Sequence, residues 1–240
     1  MDFLFVTDFW IAVGQIILID VLLGGDNAVV IALACRGLPQ KQRLAGILWG
    51  TAGAVGLRVV LIFFALTLLK IPLLKCFGAL LLIWIGIKLL LPQNGNKHDK
   101  LKSSERLINA IKTIIIADFV MSLDNVIAIA GAAEGAQEQH KMILVIFGLV
   151  VSIPIIVWGS QLVSKLMDRF PIIVTLGGML LGWIAGGMAG TDPLIENFIR
   201  SNSHQLIPQQ YIEYGLSLVC ALLVLIAGKV LSNRQNQQSK

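Results

Sequence analysis

Charge is scarce in this chain: Asp, Glu, Lys and Arg make up 14% of 240 residues, against 56% hydrophobic residues, and the mean hydropathy is +0.82. Soluble domains carry roughly a quarter charged residues, so the composition excludes a soluble enzyme core and fits a polytopic membrane protein. Cysteine is nearly absent. Cys35, Cys76 and Cys220 form no CxxC pair, which removes a disulfide framework and a thiolate metal site and leaves them as small apolar fillers. The three histidines, His98, His140 and His204, fall in expected loops without an H-E-x-x-H or C-x-x-C neighbour, so zinc-type chemistry gains no support. The start, Met1 to Asp8, lacks a basic n-region, and the first segment is expected to be a retained helix rather than a signal peptide. The net charge of +5 sits in short loops between apolar runs instead of on a folded basic face, which argues for membrane topology and against a nucleic-acid partner.

What is present is length in apolar runs. Windows long enough for a bilayer lie at about residues 9–34, 44–69, 71–91, 107–133, 141–163, 171–190 and 210–231. The expected fold is therefore all-α, a single membrane domain over residues 1–240 built as a bundle of seven transmembrane helices. Pro39, Pro72, Pro92 and Pro171 stand near span ends, where a missing amide donor is tolerated, and Pro154 inside the fifth span is expected to kink it. Bases concentrate in the first loop (Arg36, Lys41, Arg43), the third loop region (Lys88 to Lys112), the fifth loop (Lys165, Arg169) and the tail. Only Lys70, Lys75, Lys141 and Arg200 fall on the opposite side. The positive-inside rule then puts the N-terminus outside and the C-terminus in the cytoplasm, for a multi-pass protein of the cytoplasmic membrane.

Within this apolar frame one acidic phrase occurs twice. Asp20-Val-Leu-Leu-Gly-Gly-Asp26-Asn27 returns as Asp118-Phe-Val-Met-Ser-Leu-Asp124-Asn125, 98 residues later. A second echo, Pro72 to Gly78 with Trp84 against Pro171 to Gly177 with Trp183, is spaced by 99 residues. Sidedness makes the copies antiparallel: residues 9–91 form one three-helix repeat, 92–106 a cytoplasmic loop, 107–190 an inverted second repeat, and 210–231 a seventh helix without a partner. Inverted repeats of this kind are a transporter architecture with binding near the midplane.

An Asp at the centre of a membrane helix costs roughly 2.5 to 3.5 kcal/mol, so four cost on the order of 10 kcal/mol before compensation and mark a functional site. Carboxylates and amide carbonyls are hard donors suited to magnesium, calcium or manganese. The candidate metal ligands are Asp20, Asp26, Asn27, Asp118, Asp124 and Asn125. Arg58, the single base inside a span, is the charge-compensating residue, either a fixed counter-ion or a mobile charge that replaces a departing cation. Met121 is assigned to packing on the face opposite Asp124. On an ideal helix the six-residue spacing sets Asp20 and Asp26 about 240° apart in azimuth and about 9 Å apart along the axis. One straight helix cannot aim both at one ion. Gly24-Gly25 supplies a break in the first copy, where the second has Ser122-Leu123. The glycines of the spans, such as Gly46, Gly50, Gly53, Gly182 and Gly186, are expected to serve close helix packing.

At these residues the chain resembles the TerC family of integral membrane proteins, within the wider LysE-type transporter superfamily. The Gly-Gly-Asp-Asn wording and compact length are similar to its YjbE-type branch. The resemblance covers all seven spans and implies handling of a divalent cation, most often manganese export, with no permanently bound cofactor. The bilayer is the obligatory surrounding, and a homo-oligomer or a secretion-machinery partner is compatible with it. Two alternatives remain: export of a cationic or zwitterionic metabolite, and a membrane metallation or assembly factor. An intramembrane aspartyl protease is disfavoured, because Leu23-Gly24-Gly25-Asp26 departs from Gly-x-Gly-Asp and no Pro-Ala-Leu follows. No enzyme activity is expected.

Overall fold

The computed structural model describes residues 7–23, 25–68, 71, 73–91, 103–132, 138–195 and 209–238. Among these there is no strand. The elements are α1 (Thr7–Leu23), α2 (Gly25–Cys35), α3 (Gln40–Leu68), α4 (Leu74–Leu90), α5 (Ser103–Ala132), α6 (Glu138–Arg169), α7 (Ile172–Gly190) and α8 (Gln209–Gln238). They fall on the expected apolar windows, with α1 and α2 covering the first on either side of Gly24, which lies outside the described residues. Four described segments are long and apolar enough to cross a membrane: Gln40–Phe64, Val145–Arg169, Ile172–Gly190 and Gln210–Gln235.

Several helices run past their apolar windows. His140, expected in a loop, lies in the first turn of α6, while Lys165 and Arg169, also assigned to a loop, lie in its last turns. α5 begins inside the expected 92–106 loop. Hydropathy marks where a helix meets lipid, but the i to i−4 bond ladder ends only where caps or breakers end it, so charged turns continue into water. His98 and His204 lie outside the described residues.

The chain packs as two compact units, Met1–Leu68 with Leu107–Ser164, and Leu69–Arg106 with Lys165–Lys240. The first unit is built from α1, α2, α3 and most of α5 and α6. Its core joins Val13 and Ile16 of α1, Val55 of α3, and Val145 and Leu149 of α6. Small residues let its helices approach: a Cβ on Gly50 would meet the Ile114 side chain at 2.4 Å, and one on Gly148 the Ile16 side chain at 2.6 Å. α2 ends in tight turns at Arg36 and Leu38. Arg43 of α3 closes them, Nε donating to the Leu38 carbonyl (3.2 Å) and Nη2 to the Arg36 carbonyl (3.1 Å).

The second unit is built around α4, α7 and α8. α4 starts after Leu73, which has φ 62° and no side-chain cap of its own. Its cap comes from far along the chain. Asp192, fully buried just after α7, accepts from Cys76 N–H in the first turn of α4 (3.4 Å) and from Leu194 N–H (3.0 Å). A carboxylate there also complements the partial positive charge of a helix N-terminus. Asp192→Ala is expected to lower the thermal stability of the purified protein by about 1 kcal/mol, with Asp192→Asn closer to wild type. Unchanged unfolding of the alanine variant would show that the cap contributes nothing.

Candidate functional site

The site lies within the first unit and is organised by Arg58, which is 1% exposed and among the largest fully buried side chains. It projects from the middle of α3. Nη1 pairs with Asp20 Oδ1 of α1 and Nη2 with Asp118 Oδ1 of α5, while Nε donates to Ser122 Oγ at 3.0 Å. The remaining carboxylate oxygens also have donors. Ser122 Oγ donates to Asp118 Oδ2 at 3.0 Å, and Ser152 Oγ of α6 donates to Asp20 Oδ2, with the Leu149 carbonyl at 2.8 Å as a second acceptor. Arg58 of α3 thus joins α1 and α5, and α6 is tied in through Asp20. A buried ion cluster is tolerable only when its hydrogen-bonding capacity is used in this way, and Arg suits it because its planar fork reaches several acceptors at once.

The other sequence candidates are placed differently. α1 is described as far as Leu23 and α2 from Gly25, and Asp26 is half-buried in the first turn of α2 with Oδ1 accepting from Asn27 N–H at 2.9 Å. Gly24 lies outside the described residues. In the second copy α5 is continuous from Ser103 to Ala132 and carries Asp118 and Asp124 on one unbroken helix. With about 100° per residue, positions 118 and 124 fall about 240° apart around α5. The Asp124 side chain lies outside the described residues, and Asn125 is partly buried. Among the described residues, no group of three or more His, Cys, Asp or Glu side chains is assembled as a metal cage.

Asn27 is the conspicuous polar group. It is 4% exposed, yet among the described residues its side-chain Oδ1 and Nδ2 both lack a hydrogen-bond partner. Leaving a buried amide unpaired costs about 1–3 kcal/mol, so such a group calls for an occupant beside it. Asn27 lines a cavity of about 10 Å³ together with Val30, Ile31, Ile114, Asp118 and Met121. That volume takes one water-sized or ion-sized sphere.

This corrects the reading of Met121. It is 6% exposed and lines the cavity alongside Asp118, three residues before it on the same helix. Residues three apart on a helix are neighbours about 60° apart, and Met121 stands in that relation to Asp118 on one side and Asp124 on the other. Its assignment to an opposite face is therefore geometrically wrong. Ser122 and Ser152 were also missed as site residues. Ser122 had a signal, since it lies four residues after Asp118 and hence on its face, whereas nothing local in α6 connects Ser152 to Asp20.

A buried Asp–Arg–Asp bridge joining both acidic phrases is the arrangement against which comparison with known proteins can be set. The family model described as "Integral membrane protein TerC family" matches residues 5–236. The chain belongs to the TerC family. Among similar TerC-type proteins, the "uncharacterized membrane protein YjbE" of Bacillus subtilis is 44% identical over 195 residues, covering 81% of this chain and 86% of its own length. YceF of the same organism is 26% identical over 190 residues, covering 76% and 72%. The "UPF0053 inner membrane protein YgdQ" of Escherichia coli K12 is 25% identical over 249 residues, covering 95% and 98%. No solved structure matches the chain. None of these three relatives is named as an enzyme, and the family description agrees with an integral membrane protein of several apolar helices.

Proposed function

We propose that this TerC-family protein transports a divalent metal ion, manganese in the first place, outward across the cytoplasmic membrane. The observation that carries this reading is the unpartnered Asn27 amide facing an ion-sized cavity beside Asp118, whose carboxylate is already held by Arg58. As ionised groups, one guanidinium and two carboxylates leave the cluster one negative charge in excess, with Asp26 close by in sequence to Asn27. Such a site attracts a cation. In the cation-free state Arg58 pairs with Asp20 and Asp118 and offsets one of their two charges, and an incoming dication competes with it for the same oxygens. The small volume of the cavity supports an ion as cargo over an amino acid or another metabolite.

In this reading a break at Gly24-Gly25 lets Asp26 and Asn27 turn toward the ion, as discontinuous helices do in transporters built from inverted repeats. Asp124 and Asn125 provide the matching groups of the second repeat, one turn or more beyond Asp118. Efflux and an outside N-terminus rest on the distribution of Lys and Arg among the loops and on the family resemblance. Inward proton movement in exchange for the departing cation is the expected coupling, since the surplus negative charge left by the metal has to be offset.

Reconstituted vesicles with an entrapped manganese-quenched dye test the proposal. Wild type is expected to admit manganese, while Asp26→Asn, which removes a half-buried charge without orphaning Arg58, is expected to fall to the background leak with its elution profile unchanged. Asp118→Asn and Asp124→Asn should behave alike in flux. Normal flux in all three would remove these residues from the pathway, and no movement of any dication by wild type would refute the function.

A further inference from the structure

Among the described residues that line the cavity, Met121 offers an atom that is neither oxygen nor hydrocarbon. Asp118 and Met121 stand one turn apart on α5 and line the same cavity as Asn27 of α2, while Val30, Ile31 and Ile114 close it with apolar surface. Met121 is 6% exposed and Asn27 4%. The Asn27 amide, buried and without a hydrogen-bond partner at either terminal atom, marks the cavity as a place for a ligand rather than a packing fault. Asp118 still has acceptor capacity: Oδ1 takes Arg58 and Oδ2 takes Ser122, and each carboxylate oxygen has a second lone pair.

We infer that Met121 is a specificity-determining ligand and that this pocket selects first-row transition-metal dications, and the softer cadmium, over magnesium and calcium. This deepens the transport reading and rests on it. A site made only of carboxylate, amide and water oxygens suits magnesium, calcium and manganese without separating them. A thioether changes the comparison. Magnesium requires a near-ideal octahedron of oxygens and parts reluctantly with its waters, so exchanging an oxygen for a neutral, polarisable sulfur is unfavourable. A transition-metal ion recovers part of that loss through a more covalent bond to sulfur, and cadmium recovers more. The apolar walls sharpen the choice, because they offer no replacement oxygen to an ion that declines the sulfur. A cell that holds far more magnesium than manganese needs such discrimination in any exporter of the scarcer ion.

The rival reading is that Met121 only fills space. Met121→Leu separates the two, since it conserves volume and removes the sulfur. The variant is expected to fold normally. Its cadmium affinity by isothermal titration should fall about tenfold or more, a loss typical of removing one supporting group at a metal site. Magnesium should also inhibit manganese flux at a correspondingly lower concentration. Unchanged cadmium affinity together with unchanged magnesium competition would overturn the inference while leaving metal transport intact. A wild-type protein that binds no dication would overturn the transport reading itself.

A second measurement needs no variant at Met121. In protein carrying Cys35→Ala, Cys76→Ala and Cys220→Ala, which removes every thiol, X-ray absorption at the cadmium edge should show one sulfur neighbour among oxygens. A shell of oxygen alone would reject Met121 as a ligand.

Discussion

Arg58→Met should be the most damaging single substitution in the first unit, lowering stability by about 3–5 kcal/mol, the range measured when one partner of a buried ion pair is removed. The reason is electrostatic rather than volumetric. Methionine fills much of the same space but leaves Asp20 and Asp118, 1% and 5% exposed, without the cation that lies between them. Ser152 and Ser122 remain as neutral donors and cannot offset two buried charges. Stability should return when the carboxylates are neutralised as well. The triple variant Arg58→Met, Asp20→Asn, Asp118→Asn is expected to unfold near the wild-type temperature, because a neutral, well-packed replacement of a buried ion cluster is often as stable as the original. It should nevertheless carry no metal. Arg58→Lys is expected to be intermediate, since an ammonium reaches fewer acceptors than the guanidinium fork. Thermal unfolding in detergent, followed by intrinsic fluorescence, reads all three. A wild-type transition for Arg58→Met would show that the bridge does not hold these helices together.

Gly186→Ala should have the largest effect in the second unit, although it adds a single methyl group. A Cβ at Gly186 would lie 2.4 Å from the Leu216 carbonyl oxygen and 2.4 Å from Ser217 Cα. Gly182, one turn earlier, would meet the Cys220 carbonyl oxygen at 2.6 Å and Ala221 Cα at 2.8 Å. These obstacles are backbone, so no rotamer change can relieve them and α8 must move away from α7 as a body. In a membrane, where apolar surface gains little by leaving lipid, close backbone packing supplies much of the association between helices. Overpacking of this type costs about 1–3 kcal/mol, occasionally more, and Gly182→Ala combined with Gly186→Ala should exceed either alone because both push on the same neighbour. Gly215→Ala is the internal control. A Cβ there meets nothing within 4 Å, so the change should be neutral or favour the helix by up to about 1 kcal/mol. Equal unfolding temperatures for Gly186→Ala and Gly215→Ala would contradict the packing argument.

Much of this was legible from local pattern. The apolar runs announced helices because a membrane leaves the backbone few ways to satisfy its polar groups other than within the helix itself. The repeated acidic phrase singled out Asp20 and Asp118 because charge in such runs is costly, and Arg58 was the obvious compensating base for the same reason. Glycine spacing anticipated close packing without naming neighbours: Gly50 meets α5 whereas Gly182 and Gly186 meet α8.

The sequence by itself determined the all-helical membrane class, the positions of its apolar helices and the residue types that mark the site, since hydropathy, charge cost and helix period are properties of contiguous residues. Tertiary structure alone decided the rest. Arg58 meets both Asp20 and Asp118 rather than one of them, Ser152 joins them from α6, Asp192 caps a helix that begins 118 residues earlier at Leu74, and Met121 faces the cavity of Asn27. Each depends on which faces of distant helices pack together. That choice is made by fit between surfaces far apart in the chain, and no window along it contains both sides.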